Sequence, residues 1–161
     1  MVYHRKALEL DPKTGHACNS LAWFLATCRR QEFRNSQRAV QLATKAVELA
    51  PNNGEIWNTL GVAQFRAGNC TASIASLEKS MALRKGGDSF DWFFLAMSHW
   101  QLDEKDTARM WYEKAVVWMQ KNAAQNKELL RFQVEAEELL RNSESESREP
   151  PAQDPENQAE R

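Results

Sequence analysis

Hydrophobic residues recur at helical intervals along most of the chain. Apolar side chains return every three or four positions, in segments that short polar or glycine-containing stretches separate. This pattern predicts eight helices, near residues 2–10, 15–28, 37–50, 54–67, 70–84, 89–101, 104–121 and 126–141. The predicted fold class is therefore all-α.

The predicted helices follow one another in a repeating unit. The segment KALELDP at residues 6–12 nearly matches KAVELAP at 45–51, and KSMALRK at 79–85 and KAVVWMQ at 114–120 continue the series. A second block, in which a small residue follows a leucine, occurs in SLAWFLA, TLGVAQF and FLAMSHW. The repeat interval of about 34 residues predicts a unit of helix, turn and helix.

Two of the repeats carry aromatic, small and branched residues in a fixed order. They are Trp57, Leu60, Gly61, Ala63, Phe65, Gly68, Ile74, Leu77 and Leu83 in the middle repeat, and Trp92, Leu95, Ala96, Ala108, Tyr112 and Ala115 in the third. With these residues the chain resembles the tetratricopeptide repeat (TPR) family. The resemblance implies a right-handed helix-turn-helix solenoid of about three repeats, with a preceding half-repeat and a C-terminal capping helix.

The repeat pattern divides the chain into six segments. In order, they are the second helix of a truncated repeat (1–12), repeat one with an insertion between its helices (13–52), repeat two (53–87), repeat three (88–122), a capping helix (123–141) and a disordered acidic tail (142–161). The tail prediction rests on six acids and three prolines with hardly any apolar residue. The capping helix is predicted from an apolar stripe of Leu129, Leu130, Val134, Leu139 and Leu140.

Some positions depart from the family pattern. Five extra residues around 29–37 lengthen the turn of repeat one, and Phe24 stands where the family prefers a small side chain. Asp103 replaces the turn glycine of repeat three, and Lys85-Gly86-Gly87 replaces the proline that usually ends repeat two. These departures concern the loops, and the fold prediction stands.

Charge and hydropathy exclude several classes of function. The chain has 21 Lys and Arg against 22 Asp and Glu, so a net charge of −1 gives no overall field that would attract nucleic acid or an anionic membrane. No apolar run approaches the roughly 18 residues that a membrane span needs, and the N-terminus lacks the apolar stretch of a signal peptide. The sequence therefore predicts a cytoplasmic protein with no nucleic-acid or membrane partner.

The sequence contains no recognisable catalytic, cofactor-binding or metal-binding motif. Glycine-rich phosphate loops, GxSxG, HExxH and paired Cys/His spacings are all absent. The insertion in repeat one carries Arg29, Arg30, Arg34 and Arg38, and we interpret it as a solvated loop, with binding of an acidic peptide or phosphate as the alternative. We therefore predict a protein that is not an enzyme and that uses no cofactor and no metal.

The family resemblance also implies a binding groove. In this family the first helix of each repeat lines the concave face, and its groove positions correspond here to Asn19, Trp23, Asn58, Val62, Phe65, Arg66, Phe93, Met97, Trp100 and Gln101. The members in repeat three are strongly apolar, so they either line the groove or form core beneath the capping helix. The clamp that one subfamily uses for chaperone carboxylates is absent, because its positions hold Asn19, Trp23, Thr59, Phe90 and Phe94.

The predicted function is that of a non-enzymatic scaffold for protein–protein interaction. A peptide or helix would bind in the concave groove, presented by another protein or by another domain of the parent chain. The alternative is a C-terminal regulatory or docking segment of a larger bacterial Ser/Thr kinase-type signalling protein, since RKGGDSFDWFFLAMSHWQL looks similar to the repeat tails of such proteins. The uncovered edge of the truncated first repeat additionally predicts weak self-association.

Overall fold

The structure is a computed structural model that describes residues 15–146, with side chains described up to Arg141. Over this range the chain forms seven α-helices and contains no strand. The helices are α1 (Gly15–Thr27), α2 (Ser36–Leu49), α3 (Gly54–Arg66), α4 (Cys70–Leu83), α5 (Ser89–Gln101), α6 (Lys105–Asn122) and α7 (Lys127–Glu146), with a 3-10 turn (Gln31–Phe33) between α1 and α2.

Each helix predicted from residue 15 onwards is present, and the all-α class is confirmed. The ends agree with the prediction to within one residue, except that α7 continues to Glu146, into the segment predicted as disordered tail. No glycine or proline occurs between Lys127 and Pro150, and glutamate is a good helix former, so nothing local stops the helix at residue 141. The predicted helix at 2–10, the half-repeat 1–12 and the tail beyond Glu146 lie outside the described residues.

Asparagine and aspartate side chains begin four of the helices. Asn35, Asn53 and Asn126 each accept a hydrogen bond from a backbone N–H in the first turn of the helix that follows. Asp88 begins α5 with a capping box, in which its own carboxylate and that of Asp91 bind each other's backbone N–H groups. These caps fix the residue at which α2, α3, α5 and α7 start.

The helices pack in consecutive pairs, α1 with α2, α3 with α4 and α5 with α6. In the middle pair the backbones approach closely at Gly61, whose carbonyl accepts a hydrogen bond of 2.8 Å from Ser73 Oγ. A methyl group on Gly61 would lie 2.6 Å from Leu77 Cγ, which is fully buried. Each pair packs on the next, since α3 contacts both α1 and α2 and α5 contacts both α3 and α4. This nearest-neighbour arrangement is that of a solenoid.

The turn of repeat three has the same conformation as that of repeat two, although an aspartate replaces the glycine. Gly68 and Asp103 have φ angles of 81° and 62°, both in the left-handed region. The following residue of each turn, Asn69 or Glu104, donates its N–H to a carbonyl five positions back at 2.9 Å. Aspartate tolerates this region better than most residues, so the departure from the family pattern leaves the turn unchanged.

The insertion of repeat one folds back against the end of α1. Asn35 N donates to the Leu25 carbonyl at 3.1 Å, and Arg34 Nε donates to the Cys28 carbonyl at 2.7 Å. Arg29 and Arg30 are exposed. The insertion is therefore a solvent-facing loop that is anchored through the backbone of Asn35 and the half-buried side chain of Arg34.

The close approach of α3 and α4 predicts the sign of a glycine substitution. Gly61→Ala should lower the free energy of unfolding by about 1–3 kcal/mol, because the added methyl group overpacks against Leu77. Gly15→Ala is the matched control, since its methyl group would meet only ordinary contacts of 3.4 Å and longer. Chemical denaturation measures both variants, and equal stability of the two would contradict the prediction.

Candidate functional site

The last helix, α7, packs on the face formed by α1, α3 and α5, the first helices of the three repeats. We call this the concave face. Helix α7 contacts α5 more extensively than α6, and the ring of Phe132 reaches Trp23 of α1. In a solenoid each repeat contacts only its neighbours. A helix that merely capped repeat three would therefore not touch repeat one, so α7 occupies the concave face itself.

An aromatic pocket holds the centre of α7. Phe132 is fully buried, and its ring centroid lies 4.9 Å from that of Phe94, 6.2 Å from that of Trp23 and 6.3 Å from that of Phe90. All three contacts are edge-to-face, which is a favoured geometry for aromatic pairs. We call Trp23, Phe90 and Phe94 the aromatic pocket; it joins α1 to α5 through one side chain of α7.

An arginine of α3 provides the second attachment of α7. Both terminal nitrogens of Arg66 donate to the carboxylate of Glu135, with a distance of 2.7 Å from Nη2 to Oε2. The guanidinium also lies over the rings of Phe65 and Phe94, at 5.7 and 5.2 Å from their centroids. With side-chain exposures of 12% and 32%, the two partners of this bidentate pair are only partly screened by solvent.

The buried side of α7 differs from the predicted stripe. Leu129, Phe132 and Ala136 are fully buried and Leu139 packs partly against the same core. The predictions for Leu130 and Val134 were wrong: these side chains are 40% and 53% exposed. A helix turns by about 100° per residue, which carries both positions away from the side that Leu129 and Phe132 share.

Two of the cavities beside α7 border the concave face on either side of Phe132. A cavity of about 590 Å³, here the Arg66 cavity, lies at the C-terminal ends of α1, α3 and α5; its lining includes Leu25, Arg34, Phe65, Arg66, Met97, Gln101, Glu135 and Glu138. A cavity of about 470 Å³, here the Asn19 cavity, lies at their N-terminal ends; its lining includes Asn19, Trp23, Glu55, Asn58, Asp88, Phe90 and Glu128.

The structure brings most of the predicted groove residues to these two cavities. Asn19, Trp23 and Asn58 border the Asn19 cavity, and Phe65, Arg66, Met97 and Gln101 border the Arg66 cavity. The other three lie elsewhere. Val62 and Phe93 are fully buried in the core, and Trp100 lies beneath Lys105 and Arg109 of α6, at 5.6 and 5.5 Å.

Asn58 is held inside the protein by a buried carboxylate. Its Nδ2 donates to Asp91 Oδ1 at 2.8 Å, and Ser80 Oγ donates to the same atom at 2.7 Å. Arg84 pairs with the other oxygen of Asp91 and with Asp88. Burial raises the pKa of Asp91, while Arg84, Ser80 and Asn58 act in the opposite direction. Asn58 was predicted to line the surface of the groove, and this is corrected. Its side chain is only 6% exposed and belongs to this polar cluster.

Several important residues were not among the predicted groove residues. Phe94 forms one wall of the aromatic pocket, and Phe132 and Glu135 attach α7 to the pocket and to Arg66. The spacing of Phe132 with Leu129 and Ala136 along one helix face is a signal that could have revealed its burial. Glu135 carries no such signal, because a helix rich in glutamate does not indicate which one forms an ion pair.

The part of the chain that the structure describes contains neither a cluster of metal ligands nor a helix that could span a membrane. No cluster of three or more His, Cys, Asp or Glu side chains there could hold a metal ion. Within residues 15–146 no helix combines the length and the apolar character needed to cross a membrane.

Comparison with known proteins identifies the class of fold. Residues 92–118 match the family model described as tetratricopeptide repeat. The crystal structure of MamA aligns with a TM-score of 0.59 and 19% identity over 91% of this chain and 88% of that one. The Sgt2 TPR domain from Aspergillus fumigatus aligns with the same score and identity over 90% of each chain. No curated protein sequence matches the chain. The fold is thus an all-α TPR helical solenoid, and at this identity the two structures indicate the fold alone.

The polar cluster around Asp91 predicts an asymmetry between two polar residues of the concave face. Asn58→Ala should lower the free energy of unfolding by about 1–3 kcal/mol, because it removes a donor from a buried carboxylate. Gln101→Ala should change it by less than about 0.5 kcal/mol, since Gln101 is exposed. Urea titration distinguishes the two, and a tolerated Asn58→Ala would show that the cluster does not need this donor.

The aromatic pocket predicts a large effect at Phe132. Phe132→Ala should cost about 3–5 kcal/mol by leaving a cavity between α1 and α5. Val134→Ala removes an exposed side chain of the same helix and should cost under about 0.5 kcal/mol. Thermal melts followed by circular dichroism report both, and similar losses in the two variants would argue against the pocket.

Proposed function

We propose that the chain is a non-enzymatic scaffold for protein–protein interaction that binds a helix or peptide partner on its concave face. The observation that carries the proposal is the docking of α7, because this face already grips a helix through an aromatic pocket and an arginine. Aromatic and arginine side chains are the residues that most often dominate the energy of protein interfaces. The TPR fold supports the same function.

Unsatisfied polar atoms on the concave face support a partner there. Asn19 Oδ1 and Arg66 Nε are buried and have no hydrogen-bond partner among the described residues. Leaving such an atom unpaired costs on the order of 1–3 kcal/mol. A partner that offers a donor to Asn19 and an acceptor to Arg66 would recover this energy on binding.

The solenoid side of the Arg66 cavity carries two arginines, Arg34 and Arg66, whereas the glutamates that line it, Glu135 and Glu138, belong to α7. Arg34 and Arg66 both line the cavity, and Arg131 of α7 lies near enough for electrostatic interaction with both. Burial lowers the pKa of Arg131, and the positive charges of Arg34 and Arg66 lower it further, against the opposing effects of Glu128 and Glu135. A partner that binds in place of α7 would therefore need a carboxylate to pair with Arg66.

Affinity capture tests the proposed surface. Phe65→Ala should weaken partner binding by on the order of 2 kcal/mol, or about thirtyfold in Kd, because it removes an aromatic side chain from the wall of the Arg66 cavity. Val117→Ala is the control, since this side chain is 50% exposed on α6 and borders neither concave cavity. The partner retained by the unmodified chain is titrated against each variant after its folding is verified. Equal binding by all three chains would place the interaction elsewhere, with the Arg29 to Arg38 insertion tested next.

The setting of the chain remains a prediction from the sequence. The alternative of a regulatory or docking segment in a larger bacterial Ser/Thr kinase-type protein does not change the proposed surface, since another domain of the parent chain could also supply the helix. A cytoplasmic location and weak self-association through residues 1–12 likewise stay predictions. Coding sequence continuous with and upstream of Met1 would distinguish the two settings.

A further inference from the structure

Helix α7 occupies the surface that the proposed function requires. We propose that α7 is a displaceable resident of the concave face, and that the partner is an amphipathic helix of another protein that takes its place. The partner helix presents an aromatic residue and, three positions later, a carboxylate. The inference rests on the proposed function, because it specifies the chemistry of the partner and the regulation of the same face.

The partner's chemistry follows from how α7 is held. Phe132 enters a pocket built by α1 and α5, and Glu135 pairs with an arginine of α3. All three first helices therefore take part in recognising these two side chains. Residues three apart lie on one face of a helix, so any helix with the same spacing can present both groups together.

Helix α7 fills the concave face incompletely. The Arg66 cavity of about 590 Å³ stays open beside it, bordered by Glu135, Glu138 and Leu139 of α7 itself. Leu139 is the apolar α7 side chain that lines it, and Arg66 Nε still lacks an acceptor among the described residues. A helix with a larger apolar side chain at the position of Leu139, and a further acceptor nearby, would gain contacts that α7 does not make.

The attachments of α7 to the rest of repeat three are also limited. Helix α7 contacts α6 less than α5. In the repeats before it the order is reversed: the first helix of a repeat packs more extensively on the second helix of the preceding repeat than on the first helix of that repeat. Its outward side leaves Leu130 and Val134 exposed. The pocket and arginine that a partner helix would need therefore hold α7 together with a smaller contact to α6, in which Tyr112 forms hydrogen bonds with Gln133 and Glu137.

Displacement has a signature that a fixed cap does not share. When a site is open only part of the time, the apparent affinity of a ligand falls in proportion to the open fraction. A substitution that weakens only the docking of α7 should then tighten partner binding. The same substitution in a fixed cap would leave binding unchanged or weaken it through lost stability.

The experiment uses the full chain and a labelled synthetic peptide with the α7 sequence NKELLRFQVEAEELLR (residues 126–141) as the probe. Glu135→Gln in the chain breaks the ion pair while leaving the groove intact, so we expect at least about tenfold tighter peptide binding than in the unmodified chain. Phe132→Ala in the chain should give a larger increase, provided that circular dichroism shows it folded. Val134→Ala is the control and should bind the peptide like the unmodified chain. A peptide with alanine at the position of Phe132 should bind none of them.

Three outcomes would overturn the proposal or separate it from the proposed function. If neither Glu135→Gln nor Phe132→Ala tightens peptide binding, α7 is a fixed cap and the inference fails, while loss of partner capture by Phe65→Ala would still uphold the proposed function. If peptide binding tightens but Phe65→Ala leaves partner capture unchanged, displacement stands and the proposed function fails. If sedimentation shows that the loosened variants dimerise by exchanging α7, the occupant is a second copy, and the assignment to a foreign helix is overturned.

Discussion

The insertion of Phe132 between α1 and α5 is the contact on which the arrangement of the three repeats depends. A solenoid is otherwise held together only by interfaces between neighbouring repeats, so small changes at each interface add up to a change in its curvature. Phe132 touches Trp23 in repeat one and Phe94 in repeat three at once. Together with the direct edge-to-face contact of Trp23 and Phe90, whose ring centroids lie 6.1 Å apart, this contact fixes the distance between repeats one and three and thereby the width of the concave face.

A second constraint lies behind the concave face, in the turn between repeats two and three. Lys85, Gly86 and Gly87 have φ angles of 58°, 131° and 73°, none of which proline can adopt. A methyl group on Gly87 would lie 2.6 Å from Met81 Cγ and would also meet the carboxylate of Asp91. The Gly-Gly sequence that departs from the family pattern is therefore what allows the buried carboxylate to approach the turn. That carboxylate in turn holds Asn58 of α3 and Arg84 at the end of α4.

The parts of the structure that were predictable from the sequence are those set by local periodicity. The helix positions and their pairing follow from patterns within about 34 residues. The contact of Trp23 with Phe132 joins residues more than a hundred positions apart, and no periodic pattern specifies it. For the same reason Asn58 was assigned to the surface, since its position in the repeat indicates a direction but not the buried aspartate it meets. The predicted stripe on α7 could not be buried as a whole, because the helix turns by about 100° per residue and places Leu130 and Val134 away from the side of Leu129.

The placement of α7 sets stability and binding against each other. Every contact that holds α7 on the concave face adds to the stability of the folded chain and also occupies atoms that a partner helix would use, Arg66 foremost among them. A sequence with a perfectly fitted α7 would be more stable and would bind a competing helix less readily. The open Arg66 cavity beside Glu135, Glu138 and Leu139 departs from such a fit. Because this imperfection borders α7 while the aromatic pocket beneath is closely packed, it marks α7, rather than the solenoid, as the element whose position a partner can change.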